Sequence, residues 1–208
     1  MNDSPNTTRE DRPTVLVIDD DPEMRKSIEQ LLATIDLPVR SFESAEDFLS
    51  TAPHDQHGCM LLDLQMSGID LLRQLIRDQY QSPILMVTAH AEVTIAVEAL
   101  RLGAFDFVEK PYSVQQMLRK VQKAIKQDFD HRSALSLAQK QQQQFDELSP
   151  QEREVVDLLS KGKSPKEIAD QLDISTSTFD FHRNNVLAKF ELNSIVDLVR
   201  IIARISGN

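Results

Sequence analysis

Between Thr14 and Lys126, short apolar runs alternate with segments in which apolar residues recur every three or four positions. The runs are typical of buried strands, and the wider spacing is typical of helices that bury one face. Strands are predicted in this way at residues 15–18, 39–42, 60–62, 83–87 and 105–108. Because strands that alternate with helices pair in parallel through right-handed crossovers, we expect an α/β domain with a five-stranded doubly wound parallel sheet.

The pattern changes at Ser149, after which it predicts four helices and no strands. The second of these helices is short, opens at Ser164 and is followed by a tight turn at residues 173–174. Either Ser175 or Ser177 is expected to cap the third helix. Two short helices joined by a few residues form the core of a helix-turn-helix, so an all-α helix-turn-helix domain is predicted here.

The segment between the two patterns contains no Gly or Pro from Tyr112 to Ser149. A helix capped by Ser113 is predicted at its start, and the glutamine-rich tract 139–144 lies near its end. This tract fits both a continuous helix and a flexible tether. The predicted division is a disordered lead-in at 1–12, an α/β domain at 13–128, a linker at 129–145 and a helix-turn-helix domain at 146–208.

Acidic residues outnumber basic residues in both predicted domains, and the net charge of the chain is −10. Residues 1–128 contain 13 Lys and Arg against 21 Asp and Glu, and residues 146–208 contain 8 against 11. An acidic chain is a poor general ligand for nucleic acid. If the helix-turn-helix binds DNA, it must therefore do so through a local cationic stripe.

Neither a secretory signal nor a membrane-spanning segment is predicted. The N-terminus lacks a basic-then-apolar pattern, and no stretch of about 18 apolar residues occurs. Cys59 is the only cysteine, so no internal disulfide can form and a reducing compartment is favoured. Its apolar neighbours indicate a core position. We therefore expect a cytoplasmic protein with no membrane partner.

Polar side chains stand at the ends of the predicted strands. They are Asp19 and Asp20 after the first strand, Asp63 after the third, Thr88 after the fourth and Lys110 after the fifth. Such residues often do no more than end strands and cap helices. All five in this order favour a binding site, because ligands of parallel sheets bind beyond the carboxyl ends of the strands. Converging carboxylates need a cation, and oxygen ligands suit Mg²⁺, which would neutralise the charge of a phosphoryl donor.

Residues 15–20, 61–63, 87–89 and 107–111 resemble the receiver domain of two-component response regulators, and the match extends over about residues 13–128. The resemblance implies a flavodoxin-like fold in which Asp63 is the phosphoacceptor. It also implies that Asp63, Asp19, Asp20 and the backbone carbonyl of Gln65 bind Mg²⁺.

The same resemblance assigns roles to three further residues. Thr88 and Lys110 would contact the phosphoryl group. Phe107 would occupy the aromatic switch position, although ordinary core packing explains a phenylalanine there equally well.

The segment after Asp63 departs from the receiver pattern. Receivers carry a loop similar to Met-Pro-x-Met-x-Gly, whereas here residues 66–70 run directly into Leu71, so the loop is about three residues short. A short loop beside the acceptor suggests slower phosphorylation or a fixed conformation. It also prompts an alternative function, a regulator that binds DNA independently of phosphorylation.

Residues 148–155, 166–169 and 174–190 resemble the LuxR/FixJ-type output domain in order and spacing. Residues 96–100 and 103–107 also resemble the FixJ-like group. The third output helix is expected to bury Phe179, Val186 and Phe190 against the other helices.

The exposed side of this helix is expected to meet DNA. Base-edge contacts are predicted for Asp180, Phe181 and Asn184, since Asp accepts from cytosine, Phe touches a thymine methyl and Asn pairs with adenine. Packing against a neighbouring helix is an equally good explanation for Phe181. Phosphate contacts are expected from Lys166, Ser177, Arg183 and Lys189. The segment 175–177 lacks the Pro-Arg pair common in the family, which removes one cation.

These features together predict a response regulator of the FixJ/NarL family. A sensor histidine kinase would phosphorylate Asp63, and the added charge would draw Thr88 and Phe107 inward. The protein would then form a homodimer, bind double-stranded DNA at two half-sites and regulate transcription, with RNA polymerase as a further candidate partner. It would not be an enzyme beyond phosphoryl transfer to its own aspartate.

Two alternatives come from other functional classes. Residues 19–21 superficially offer the Asp-x-Asp of a Mg²⁺-dependent aspartyl phosphohydrolase, but the helical tail and the position of Asp63 do not suit such an enzyme. The tail could also bind protein instead of DNA. Salt-dependent DNA affinity would distinguish these functions.

Overall fold

The structure is a computed structural model that describes residues 12–51, 56–65, 68–88 and 93–206. Its N-terminal unit alternates strands and helices as the sequence predicted. The strands are β1 (Thr14–Ile18), β2 (Val39–Phe42), β3 (Gly58–Asp63), β4 (Ile84–Thr88) and β5 (Asp106–Glu109). The helices between them are α1 (Pro22–Ala33), α2 (Ala45–Thr51), α3 (Gly68–Arg77) and α4 (Val93–Leu102), and α5 (Val114–Asp146) follows the last strand.

All five strands pair in parallel in the order β2-β1-β3-β4-β5. The chain moves outward in one direction from β1 to β2 and in the other from β3 to β5. The switch between these directions lies between β1 and β3, where a crevice opens at the carboxyl ends of the strands. The predicted doubly wound α/β fold is therefore confirmed.

Apolar side chains cover both faces of the sheet, which explains why its central strands are unbroken apolar runs. One layer is built around Leu16, Met60 and Met86, and the other around Val17, Leu61 and Val87. Alternate residues of each strand thus pack on opposite faces. Cys59 lies in the second layer, as expected, and burial raises the pKa of its thiol far above the ordinary value.

A buried ionic group holds α5 at the amino ends of the strands, away from the crevice. The carboxylate of Asp128 accepts hydrogen bonds from the backbone N–H of Gly58 at 2.9 Å and from Nε of Arg132 at 2.9 Å. Gly58 has a φ of +131°, and a Cβ there would lie 2.0 Å from the carbonyl oxygen of Thr14. Only glycine fits this close approach.

The C-terminal unit consists of helices, as predicted: α6 (Pro150–Ser160), α7 (Pro165–Leu172), α8 (Thr176–Lys189) and α9 (Ile195–Ser206). Ser149 and Ser164 form capping boxes with the glutamates three residues later. Ser175, rather than Ser177, caps α8 by accepting from the N–H of Thr178. A left-handed Asp173 makes the turn between α7 and α8.

The long helix α5 includes the glutamine-rich tract, so the described chain is helical where the sequence left helix and tether open. The two compact units divide between Arg132 and Ser133. Within the second unit, Phe145 packs against the apolar cluster of α8 and α9, and the amide of Gln144 donates to the carbonyl of Lys189 at 2.9 Å. Among the described helices, none is long and apolar enough to cross a membrane.

Candidate functional site

Three carboxylates meet at the crevice between β1 and β3. Asp63 is the last residue of β3, and Asp19 and Asp20 directly follow β1, so the parallel register brings all three to one edge of the sheet. Each can offer one oxygen, and these oxygens lie within 4.8 Å of one another. Asp19 and Asp63 are buried, whereas Asp20 is exposed. The predicted acidic pocket is therefore present.

Lys110 supplies the positive charge of this pocket. Its Nζ lies 3.0 Å from Oδ2 of Asp19 and 3.1 Å from Oδ1 of Asp63. The backbone N–H of Lys110 donates to the carbonyl of Thr88 at 2.6 Å. Because β4 and β5 are neighbours, this bond fixes the lysine at the same edge of the sheet as the carboxylates.

The pocket holds more negative than positive charge. Burial raises the pKa of Asp63 above its ordinary value, even though the hydrogen bond and charge of Lys110 act in the opposite direction. Burial alone would lower the pKa of Lys110, but its bonds to Asp19 and Asp63 raise it above the usual value. One ammonium faces three carboxylates in this pocket, and the excess of negative charge favours a bound cation.

The donor atoms suit a hard divalent cation. Among the described residues, the cluster that could hold a metal ion contains carboxylate oxygens and neither nitrogen nor sulfur. Oxygen donors of this kind suit Mg²⁺, which commonly retains several waters and so needs an open side. Asp20, which is exposed, lies on such a side. Asp21 is used otherwise, since its side chain caps α1 by accepting from the N–H of Glu23.

The remaining predicted pocket residues lie close by. Thr88 ends β4 and is buried. The N–H of Gln65 donates to Oδ2 of Asp63 at 3.3 Å. Phe107 is half-buried and packs against the first apolar layer, so it has the core contacts that were the alternative to a switch role.

Two neighbouring residues, Arg25 and Lys120, make contacts that were not predicted from the sequence. Arg25 on α1 donates to the carbonyl of Asp19 at 2.6 Å. Lys120 on α5 places its ammonium 5.1 Å from the ring centroid of Phe107, donates to the carbonyl of that residue and forms an ion pair with Asp106 at 2.8 Å. No local motif marks a lysine that is 13 or 14 residues from its partners in the chain, so the sequence offered no signal.

The start of α3 lies close to the end of β3. Gly68 begins α3, and a Cβ built on it would lie 2.2 Å from the carbonyl oxygen of Asp63. Met66 and Ser67 of the short loop lie outside the described residues. The start of α3 is therefore in direct backbone contact with the residue that carries the central carboxylate.

Helix α8 has the two sides that its sequence predicted. Phe179, Val186 and Phe190 are buried, which confirms the expected inner side. Asp180, Phe181 and Asn184 are exposed. The Phe181 side chain is 62% exposed, so packing against a neighbouring helix does not explain it.

The residues expected to contact phosphate have different surroundings. Lys166 at the start of α7 and Ser177 at the start of α8 are exposed. The ammonium of Lys189 lies 2.7 Å from Oε2 of the buried Glu152 and donates to the carbonyl of Glu147 at 3.0 Å. A phosphate contact of Lys189 would therefore have to displace an ion pair with a buried carboxylate. Burial alone would raise the pKa of Glu152, but the bonds from Lys189 and Ser149 lower it.

Comparison with known proteins identifies both units. Residues 15–122 match the response regulator receiver domain, and residues 146–202 match the luxR family of bacterial regulatory proteins. The transcriptional regulatory protein FixJ of Bradyrhizobium diazoefficiens is 38% identical over 193 residues, which are 91% of this chain and 94% of the relative. The response regulator TodT of Pseudomonas putida is 34% identical over 202 residues, covering 95% of this chain and 89% of the relative.

Solved structures agree with these matches. The response regulator StyR covers 93% of this chain and 99% of its own, with 32% identity and a TM-score of 0.81. Full-length FixJ from B. japonicum covers 94% and 98%, with 37% identity and a TM-score of 0.58. These relatives are regulators, and the receiver is a phosphoryl-accepting regulatory domain, so the phosphohydrolase alternative is not supported. The chain belongs to the FixJ-like response regulators, which join a receiver domain to a LuxR-type DNA-binding domain and regulate transcription.

Proposed function

We propose that Asp63 accepts a phosphoryl group from a sensor histidine kinase and that this modification controls dimerisation and binding to double-stranded DNA. The observation that carries the proposal is the position of Lys110, whose ammonium bridges Asp19 and Asp63 beside an exposed third carboxylate. An acceptor, an ammonium and a candidate metal site thus share one pocket. This is the set of groups that phosphoryl transfer requires.

In the proposed reaction, a carboxylate oxygen of Asp63 attacks the phosphorus of a phosphohistidine, and the imidazole leaves. Asp19, Asp20, Asp63 and the backbone carbonyl of Gln65 would hold Mg²⁺, which when bound neutralises charge on the phosphoryl oxygens. Lys110 would exchange its bond with Asp63 for one with a phosphoryl oxygen. The hydroxyl of Thr88 would donate to another.

Thr88 and Phe107 would then transmit the conformational change from the pocket to the surface of the receiver. Movement of these side chains inward would reshape the surface formed by α4, β5 and the start of α5, through which we propose that two copies associate. Paired output domains gain affinity for two half-sites, which compensates for the acidic composition of the chain. RNA polymerase is a further candidate partner, and a DNA target supports the expected cytoplasmic location.

We further propose that the receiver occupies residues 13–128 and the output domain residues 146–208, with α5 joining them. In the output domain, Asp180, Phe181 and Asn184 would meet base edges in the major groove. Lys166, Ser177 and Arg183 are the candidates for phosphate contacts.

The central test is intact mass after incubation with acetyl phosphate and Mg²⁺. Wild type is expected to gain one phosphoryl group, and Asp63→Asn is expected to gain none. Asp78→Asn, which removes an exposed carboxylate on the receiver, is the matched control and should behave as wild type. Modification of Asp63→Asn to the wild-type extent would contradict the assignment.

The close contact between Gly68 and the backbone of Asp63 keeps one alternative open, a regulator that binds DNA without phosphorylation. Beryllofluoride, which mimics the phosphoryl group, separates the two functions in the presence of Mg²⁺. The proposed function expects beryllofluoride to increase both dimerisation and DNA affinity. If neither quantity changes while DNA binding persists, the phosphorylation-independent function is supported.

A further inference from the structure

The exposed side of α8 carries a charged group that determines what this helix can offer to a base. Nη1 of Arg183 lies 2.8 Å from Oδ1 of Asp180. The Nε and Nη2 atoms of the same guanidinium donate to Oδ1 of Asn184 at 3.4 and 3.2 Å. Two of the three residues predicted to read bases, Asp180 and Asn184, are therefore bound to Arg183.

Arg183 is also held against the domain. Its Cζ atom lies 5.9 Å from the ring centroid of the buried Phe179, and its side chain is 28% exposed. The guanidinium is thus stacked on one side and hydrogen-bonded on its edges. Three of its five N–H groups are engaged in this way, so a phosphate contact would have to use the remaining two.

The bond to Arg183 limits the way Asn184 can pair with a base. A bidentate contact with adenine needs the amide to donate from Nδ2 and accept at Oδ1. Here Oδ1 accepts from both Nε and Nη2 of Arg183, which engages its two lone pairs and leaves Nδ2 as the available donor. A donor alone fits major-groove edges that present acceptors, such as O6 and N7 of guanine or O4 of thymine.

Arg183 also balances the negative charge of Asp180. Asp180 is the exposed acidic residue of α8, and the charge of Lys189 at the other end is bound by Glu152. Without Arg183, this side of α8 would present a net negative charge to the DNA phosphates. An ion pair with Arg183 makes the surface neutral.

We propose that Arg183 is a positioning residue for base recognition, which neutralises Asp180 and turns Asn184 into a donor that selects guanine or thymine over adenine. This inference rests on the proposed DNA-binding function and replaces a phosphate contact of Arg183. Phe181, which stands beside this group and is largely exposed, adds apolar contact that favours a thymine methyl.

Base preference is the first test. Full-length protein treated with beryllofluoride and Mg²⁺ selects sequences from a random duplex pool, and wild type is expected to enrich guanine or thymine where Asn184 contacts the site. Arg183→Met keeps the aliphatic stem but frees Oδ1 of Asn184, so the preference should shift toward adenine by about tenfold. An unchanged base preference in this variant would overturn the inference.

Arg183→Lys provides a second variant if Arg183→Met does not fold, which thermal unfolding would reveal. A lysine keeps the charge but lacks the planar fork that reaches both partners. Its base preference should shift as in Arg183→Met, while its affinity stays near that of wild type. The matched control is Arg200→Met on α9, which removes the arginine of another ion pair with spacing i,i+3 and should leave base preference unchanged.

The double variant Asp180→Asn/Arg183→Met distinguishes pairing from phosphate contact, because it restores the net charge of the wild-type pair. Arg183→Met alone should lower affinity about tenfold, and the double variant should recover to within about threefold of wild type. The dependence of log affinity on log salt should also return to the wild-type slope. If Arg183 binds a phosphate, both variants would instead keep a slope smaller by about 0.9.

The outcomes separate this inference from the function on which it rests. A wild-type protein that shows no salt-dependent affinity for duplex DNA would overturn both. A wild-type protein that enriches a sequence, with variants that enrich the same one, would overturn the role of Arg183 alone.

Discussion

The pocket of the receiver and the exposed side of α8 place their polar groups in opposite ways. In the receiver, Asp63 is 3% exposed, and a parallel sheet fixes both it and its ammonium partner. On α8, the groups lie on the surface of one helix and are fixed mainly by one another. A buried charge in the pocket destabilises the fold unless it is paired, whereas an exposed charge can be replaced with little effect on stability.

This difference has a consequence for function. In the pocket, Lys110 is bound to both Asp19 and Asp63, so substitution of any of the three disturbs the other two. The helix surface can change its target by single substitutions that hardly affect folding. Burial thus constrains the residues of the receiver pocket, whereas the exposed residues of α8 can be substituted more freely.

The largest expected effect lies in the pocket. Lys110→Ala should slow phosphoryl acceptance about 100-fold, because it removes a preorganised positive charge from the reacting oxygens. Lys110 lowers the pKa of Asp63 and so opposes the effect of burial. Without this lysine, the pKa of Asp63 should be higher. As the pH is decreased, the variant should therefore stop accepting the phosphoryl group at a higher pH than wild type does. Rates of mass gain with acetyl phosphate between pH 5 and 8 measure both effects. Lys126→Ala, an exposed lysine on α5, should match wild type.

Glu152, a buried charge in the output domain, tests whether burial, rather than the receiver fold, makes a site sensitive to substitution. Glu152→Ala should reduce the free energy of unfolding of the output domain by about 2 kcal/mol, since it removes both the partner of Lys189 and half of a capping box. Urea unfolding at pH 7 would measure the loss. Glu154→Ala on the exposed side of α6 is the control and should change stability little.

The same pair predicts a pH dependence with a definite sign. The pKa of Glu152 in the folded protein lies below its ordinary value of 4.5, so its contribution to stability is present above that value and is lost as the pH falls below it. Glu152→Ala should therefore lose less stability than wild type over that acidic range. A parallel loss in both proteins would contradict a role for this ion pair.

Two lysines of the output domain give a smaller and more specific contrast. Lys166→Ala should reduce the slope of log affinity against log salt by about 0.9, as expected for one lost phosphate contact. Lys189→Ala should leave that slope unchanged and should destabilise the domain instead, because Glu152 already holds the lysine. Binding at several salt concentrations, with unfolding of the same variants, would measure both. A slope reduced by the same amount in both variants would mean that Lys189 does contact DNA.

The smallest effect on stability is expected at Phe181. Phe181→Ala should change the free energy of unfolding by less than about 0.5 kcal/mol, since the ring is largely exposed. DNA affinity should nevertheless decrease, which would identify the ring as a contact rather than a packing residue. A large loss of stability would contradict the exposed position.

The difference between the two regions also explains what the sequence could predict. The sequence could predict that Asp19, Asp63, Thr88 and Lys110 lie together. Each stands at or just after the end of a strand, and parallel pairing brings these strand ends to one edge of the sheet. Helical spacing likewise predicted which residues of α8 are buried.

The remainder depends on side-chain pairing across long distances in the chain. The bond between Lys189 and Glu152 spans 37 residues, and that between Lys120 and Asp106 joins a helix to a strand. Many lysines could satisfy such carboxylates, and no periodicity selects one of them. The position of Lys189 on the third output helix predicted a phosphate contact and gave no sign of its ion pair with Glu152.

The contact of Gly68 with the carbonyl of Asp63 limits how this receiver can change over time. Any side chain at position 68 would push against the backbone of the acceptor itself. Another residue could replace this glycine only if the first turn of α3 moved away from the end of β3.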